Sequence, residues 1–252
     1  MTGPLSHEVE RFDGPDLDPE RWVAAYLPAW SSRAEAAATY RLTADGLSLA
    51  IPPEHPLWCP DLHADPLLRV SAVQSGSWSG PLGSTRGQQP FREGLVVREE
   101  QPLLRGLVRQ YGRVEVECRA SIGPGSMFSA WMVGMEDEPH RCGEICLMEV
   151  FGDKVEDGTA EVGSGIHPFR DPALVEEFSA PRREIDVAQW HRYAVEWSAS
   201  GVRWFIDGVE TGRSEQSPGY PMMLILGLFD FPAGSEPDAV PELVVREVSW
   251  SG

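Results

Sequence analysis

The decamer Gly143-Glu144-Ile145-Cys146-Leu147-Met148-Glu149-Val150-Phe151-Gly152 is an apolar, strand-forming run that carries two acids. Burying a carboxyl beside Ile, Leu, Met, Val and Phe costs several kcal/mol unless the group is paired or used in chemistry. Side chains alternate faces along a strand, so a regular strand puts Glu144, Cys146 and Met148 on one side and Ile145, Leu147 and Glu149 on the other. The odd separation of the two glutamates therefore sends them to opposite faces. One extra residue between Cys146 and Glu149, as in a β-bulge, would bring both to the same face.

Two readings of the decamer follow. Carboxyls about 5–5.5 Å apart on one surface can act as nucleophile and proton donor in retaining glycoside cleavage. Alternatively this is an edge strand, with Glu149 facing solvent and Glu144 in a turn. The rest of the chain must choose between them.

The chain has 252 residues, 42% of them hydrophobic, enough for one large β domain. Twenty-five glycines and 22 prolines are spread along it, which favours short strands joined by turns over long helices. Thirty-nine acidic against 21 basic residues give a formal charge of −18, which argues against nucleic acid or anionic-membrane partners. A neutral sugar is compatible with that charge. Nine tryptophans supply flat rings for sugar stacking, although most are expected in the core. The first residues carry neither a basic nor an apolar signal region, and no apolar run approaches a membrane span of ~20 residues. Four cysteines (Cys59, Cys118, Cys142, Cys146) form no disulfide-rich pattern. These features predict reduced thiols and a cytoplasmic location.

Outward from the decamer, the pattern is β throughout. Val9–Phe12 reads as a short strand and Trp22 as an anchor for the entry into the domain. Arg33–Ala38 has helix-forming composition but is too short to persist. Tyr40–Ile51 is a hairpin around Asp45-Gly46. Pro52–Pro66 holds His55, Cys59 and His63 at zinc-like spacing, but its prolines make a loop rimming a cleft the favoured reading. Ser75–Gln89 is a long polar loop with Trp78, Arg86, Gln88 and Gln89, of a length often tied to function. In Leu107–Ala120, Val114, Val116 and Cys118 alternate with Glu115, Glu117 and Arg119. Met127–Gly134 is an apolar strand with Trp131, and an acidic loop at Glu136–Glu138 leads into the decamer. His167 lies in a glycine-lined segment. Gln189–Trp197 and Gly201–Ile206 form a hairpin-like pair, Met222–Phe229 a strand buried on both faces, and Leu243–Trp250 a last strand. The sum is one two-sheet β-sandwich over residues 1–252. Nucleophile elbows, phosphate loops, dinucleotide fingerprints and His-Glu-x-x-His motifs are all missing.

Tyr111-Gly112-Arg113-Val114-Glu115, Ala130-Trp131-Met132, the decamer, His167, Trp190–Trp197, Phe205-Ile206-Asp207-Gly208 and Pro221–Leu226 occur in an order that resembles glycoside hydrolase family 16. That family includes laminarinases, lichenases and related endo-acting β-glucanases and galactanases. The resemblance runs from about Phe12 to Trp250. It implies an all-β, concanavalin-like jelly-roll sandwich of two antiparallel sheets with a concave cleft. It also implies a retaining endo-β-glycosidase, with Glu144 as nucleophile and Glu149 as acid/base. The family's bulged subgroup spaces these glutamates by five, as here. A carbohydrate-binding, lectin-like protein and a transglycosylase are the alternatives on this fold.

Trp131 matches an aromatic beside the central sugar, and His167 a polar residue near the acid/base. Met127, Trp78, Gln88 and Arg86 complete the expected substrate-binding set. The chain departs from the family at Cys146, where the pattern has an Asp that tunes the carboxyls. It also lacks a second Trp near Met127 and an Asn near Gly227. The Asp linked to a structural calcium in many members has no counterpart near Val245, so no cofactor is expected. A polysaccharide or oligosaccharide is the expected partner, and the monomer the expected state.

Overall fold

The computed structural model describes residues 7–62, 67–235 and 239–252. Two antiparallel sheets face each other among these residues. The larger has eight strands, in the order Val209–Ser214, Gly201–Ile206, His191–Ser198, Gly112–Ser121, Glu242–Ser251, Gly46–Ala50 and Tyr40–Thr43, with His7–Glu10 added against Glu242–Ser251. The smaller has six, in the order Glu177–Ser179, Gly163–His167, Glu144–Phe151, Ser126–Gly134, Met222–Asp230 and Arg69–Gln74. The glutamate strand is thus interior to the smaller sheet and not an edge. This is the concanavalin-like jelly roll.

Alternation builds the layers. Val114, Val116, Cys118 and Ala120 point inward from the eight-stranded sheet and meet Phe128, Ala130 and Met132 from the other. Their partners on the same strand, Arg113, Glu115, Glu117 and Arg119, are left on the outer face. Met222–Asp230 is buried at every position. Its inward residues Leu224, Leu226 and Leu228 join the inter-sheet core, while Met223, Ile225 and Phe229 belong to a second apolar cluster on the opposite face. That cluster includes Trp131, Val133 and Cys146 and is roofed in part by Leu27, Trp30 and Trp58 from loops.

Local chemistry accounts for the turns that matter. Tyr40–Thr43 and Gly46–Ala50 pair as a hairpin, and Gly46 has φ +109 with Val245 O only 2.2 Å from where a Cβ would stand. Only glycine fits there. Arg33–Ala38 forms turns rather than a helix. Seven of the nine tryptophans are buried.

The spacing of the glutamates is set by a bulge. Ser129 stands opposite Glu149, Ala130 opposite Met148, Trp131 opposite Cys146 and Val133 opposite Glu144, which leaves Leu147 as the extra residue. The other neighbour agrees, with Gly163 opposite Glu149 and Gly165 opposite Cys146. In consequence the consecutive residues Leu147 and Met148 both enter the inter-sheet core, whereas Cys146 joins the cluster on the concave face. Glu144, Cys146 and Glu149 therefore share that face.

Candidate active site

A cavity of about 260 Å³ opens on the concave face. Its floor is made by Met127, Ser129 and Trp131 of one strand and Glu144 and Glu149 of the next. Loops supply the walls: Tyr26 and Trp58 on one side, Gln89 and Phe91 on another, and Glu136, Phe169 and Arg170 beside the glutamates. Six of the sixteen lining residues are aromatic. Tyr26 lies 5.0 Å from Trp58, 6.3 Å from Trp131 and 5.6 Å from Phe229, measured between ring centroids. Phe91 closes on Trp58 at 4.7 Å. Gly227 makes the position of Trp131 possible, because a Cβ there would lie 3.0–3.1 Å from two carbons of its indole ring.

The two acids share one desolvated environment. Burial pushes Glu144 up to about 8, and the nearby charge of Glu149 adds to the rise. Burial raises Glu149 as well, and His167 opposes it. The side-chain amide of Gln89 donates from Nε2 to Glu144 Oε2 at 3.1 Å and favours the ionised form of Glu144. Between them the thiol of Cys146 is fully buried, held well above its ordinary value first by burial and then by the two glutamates. It is neutral at any physiological pH and brings no charge to the pair.

A third carboxyl completes the site. Glu136 is buried in the wall and pushed up to about 7 by burial, against the backbone N–H of Gln89 and the guanidinium of Arg170. Arg170 forms an ion pair with it, and the Gln89 N–H donates to its Oε1. Glu136 thereby holds the backbone of the residue whose side chain reaches Glu144. Leu27, Gln89, Glu136 and Phe169 all line the cavity with left-handed φ of 43, 43, 55 and 47. Such backbone costs of order 1–3 kcal/mol per residue and gathers at functional sites.

The expected substrate-binding residues divide. Met127 and Trp131 line the cavity. His167 is placed opposite Glu144 by strand pairing, but its ring stacks on Phe178 at 4.8 Å and its Nδ1 meets Glu176 at 2.8 Å. It acts on Glu149 by charge from outside the cavity wall. Trp78, Arg86 and Gln88 are not in the wall. Arg86 lies over the Trp78 ring at 4.9 Å and donates to Asp137 O. Gln88 is buried and anchors the loop: its Oε1 accepts from the backbone N–H of Trp78, and its Nε2 faces Met135 and Met223 sulfurs. The next residue, Gln89, takes the place in the site that was expected of Gln88.

The zinc-like trio does not form a centre. Both ring nitrogens of His55 are engaged, by Thr39 Oγ1 and by Val70 O, each at 2.8 Å. His63 lies outside the described residues. Among the described residues no group of three or more His, Cys, Asp or Glu side chains could hold a metal ion, and no helix is long and apolar enough to cross a membrane. Trp58 from this loop does rim the cavity, as does Leu68 just beyond it.

The site thus sets a buried and a half-buried carboxyl on one floor of a concave, partly aromatic cleft of a jelly roll. The chain belongs to glycosyl hydrolase family 16: residues 108–237 match the family model described as "Glycosyl hydrolases family 16". It is 30% identical over 135 residues to Crh-like protein 1 of Aspergillus fumigatus, a match that spans 50% of this chain and 34% of that protein. Among solved structures it is similar to the GlcNAcα1-4Gal releasing endo-β-galactosidase from Clostridium perfringens, with a TM-score of 0.83 and 26% identity over 100% of this chain and 64% of that one. The chain is therefore shorter than both relatives. A laminarinase from Flavobacterium sp. UMI-01 shares the fold, with a TM-score of 0.66 at 15% identity over 97% of this chain and 99% of that one.

Proposed function

We propose that the protein is a retaining endo-β-glycosidase that cleaves internal bonds of a β-linked glycan, with Glu144 as nucleophile and Glu149 as acid/base. The observation that carries this is the bulge at Leu147, which brings the buried Glu144 and the half-buried Glu149 onto one cavity floor. A desolvated carboxyl pair is costly to the fold and has a use in double-displacement chemistry. That chemistry needs one proton on the pair, held by Glu149 when a glycan binds. The donor from Gln89 is the contact that favours the anion on Glu144. Glu149 then protonates the departing oxygen while Glu144 attacks the anomeric carbon, forming a glycosyl ester. In the second half, Glu149 takes a proton from water, which attacks the ester and releases a product of retained configuration.

The aromatic walls suit the apolar faces of sugar rings. Trp131 Nε1 and Gln89 Oε1, both buried without a hydrogen-bond partner, add a donor and an acceptor beside the pair. Whole-chain similarity to an endo-β-galactosidase supports testing galactosides together with glucans. The test is a panel of β-1,3-, β-1,4- and mixed-linkage glucans and of β-galactosides, including chains that carry GlcNAcα1-4Gal. Binding, new reducing ends, product length and product anomer are scored. Mid-chain cleavage with retention is expected. Binding without release would make the protein a lectin on this fold, inverted product would rule out the nucleophile, and products longer than the substrate would show transfer to an acceptor sugar.

A further inference from the structure

The bulge that brings the glutamates together is held from outside its own sheet. A regular antiparallel ladder gives strand carbonyls partners on neighbouring strands. An extra residue disrupts the ladder and leaves groups to be satisfied some other way. Here the carbonyls on both sides of Leu147 are taken by side chains. Met148 O accepts from Ser129 Oγ at 2.9 Å, on the adjacent strand. Cys146 O accepts from the indole Nε1 of Trp204 at 2.7 Å.

Trp204 belongs to Gly201–Ile206 of the eight-stranded sheet, so its indole crosses the inter-sheet core to reach the bulge. It is 4% exposed. Its own strand is irregular at this point, with the register against Val209–Ser214 shifting between Trp204 and Phe205. One bulge thus lies against another across the core. Trp204 directly precedes Phe205-Ile206-Asp207-Gly208, a stretch that the sequence marks but the catalytic pair does not use.

We infer that Trp204 is a positioning residue for the catalytic pair: its indole N–H pins the Cys146 carbonyl and so fixes how far apart Glu144 and Glu149 stand. The inference rests on the reading of those two residues as catalytic. Trp204 touches neither glycan nor reacting atom. It acts through a backbone carbonyl two residues after one glutamate and three before the other. Displacements on the order of 1 Å in such constellations cost about 10²-fold in rate.

Trp204→Phe keeps an aromatic ring and removes the N–H. The matched control is Trp197→Phe, because the Trp197 N–H bonds Ser217 Oγ at 3.0 Å and Pro218 O at 3.1 Å, away from the bulge. Each variant is measured for kcat and KM on a glycan that the wild type cleaves, and for the titration of its glutamate carboxyls by carbon-13 NMR. Trp204→Phe is expected to lower kcat by roughly 10- to 100-fold with little change in KM, and to move the titration of Glu144 and Glu149. Trp197→Phe is expected to leave both close to wild type, whatever it does to thermal stability. If Trp204→Phe fails to fold, replacement of Trp204 by benzothienylalanine, which has the same shape with sulfur for N–H, is measured in its place. Equal kcat and unmoved titration in the variants that lack the N–H would overturn the inference. A wild type that cleaves none of the glycans refutes the proposed function instead, and the titration then decides the role of Trp204 alone.

Discussion

The two faces of this molecule treat glutamate in opposite ways. On the outer face of the eight-stranded sheet, Glu117 is gripped by Arg192 at 3.0 Å and by Arg246 at 2.6 Å. Arg113 bridges Glu115 and Glu196 at 2.7 and 3.1 Å. Each anion has cations beside it and water within reach. On the concave face, Glu144 meets the neutral amide of Gln89, and Arg170 is committed to Glu136. The fold has arginines to spend and spends them on the surface. A carboxyl left dry and without a cation destabilises the fold whether or not it is used, so the concave pair calls for a reason outside stability, and the outer ladder does not.

The two faces are told apart most sharply by the same substitution on each. Glu144→Gln or Glu149→Gln is expected to lower turnover on the order of 10⁴-fold with the fold intact, read as reducing ends released. Full activity in Glu144→Gln would remove the distinction between the faces. A smaller effect is expected one contact away. Gln89→Ala removes the donor to Glu144, which raises that carboxyl further. The acid limb of the pH–rate profile should then move to higher pH, with kcat roughly 10- to 100-fold lower at neutral pH. Cys146→Asp places an acid between the pair, where its charge helps Glu149 keep its proton. Hydrolysis is expected to rise about tenfold, with the alkaline limb moved upward; a fall in a folded variant would show that the thiol does not detune the site.

The mildest effects are on stability, and there the two faces should differ in sign. Glu144 has a folded value of about 8 against an ordinary 4.5. The folded chain therefore holds a proton that the unfolded chain releases, and stability falls as pH climbs through that window. Glu144→Gln should abolish this loss. Its Tm should exceed that of wild type at pH 8 and match it below pH 4.5, with roughly 2–4 °C per kcal/mol gained in a chain of this size. Glu117→Gln removes an anion from between two guanidinium groups, so its Tm should fall, by an amount equivalent to less than about 1 kcal/mol, with activity unchanged. Calorimetry of both variants at the two pH values reads the contrast directly.

Much of this was legible along the chain because it depends on alternation. Period-two burial in Gly112–Ser121, the all-apolar Met222–Phe229 and the Asp45-Gly46 hairpin are local signals that one face or both faces of a strand impose. The bulge was legible, as one of two readings, for the same reason: two acids five positions apart cannot share a face of a regular strand, and the partner strands show Leu147 as the surplus. Loops have no such period. Gln88 and Gln89 are adjacent and chemically identical, yet Gln88 is buried as an anchor and Gln89 lines the site. The left-handed backbone at Gln89 and the pull of Glu136 on its N–H make that choice. Trp78 and Arg86 were attractive as sugar contacts, but they satisfy each other.

Strand chemistry alone was therefore enough for the sandwich, since pleat geometry ties each side chain to a face; for the two glutamates it left bulge and edge strand both open, and the register of the folded strands chose the bulge. The walls of the cleft needed the folded chain. Tyr26, Trp58, Gln89, Glu136 and Arg170 come from loops far apart in sequence, and what brings them together is the desolvation of shared surface, which no local pattern records. Trp204 belongs with them: its indole bonds a carbonyl 58 residues away, in the other sheet, and only the packing of one sheet on the other puts it there.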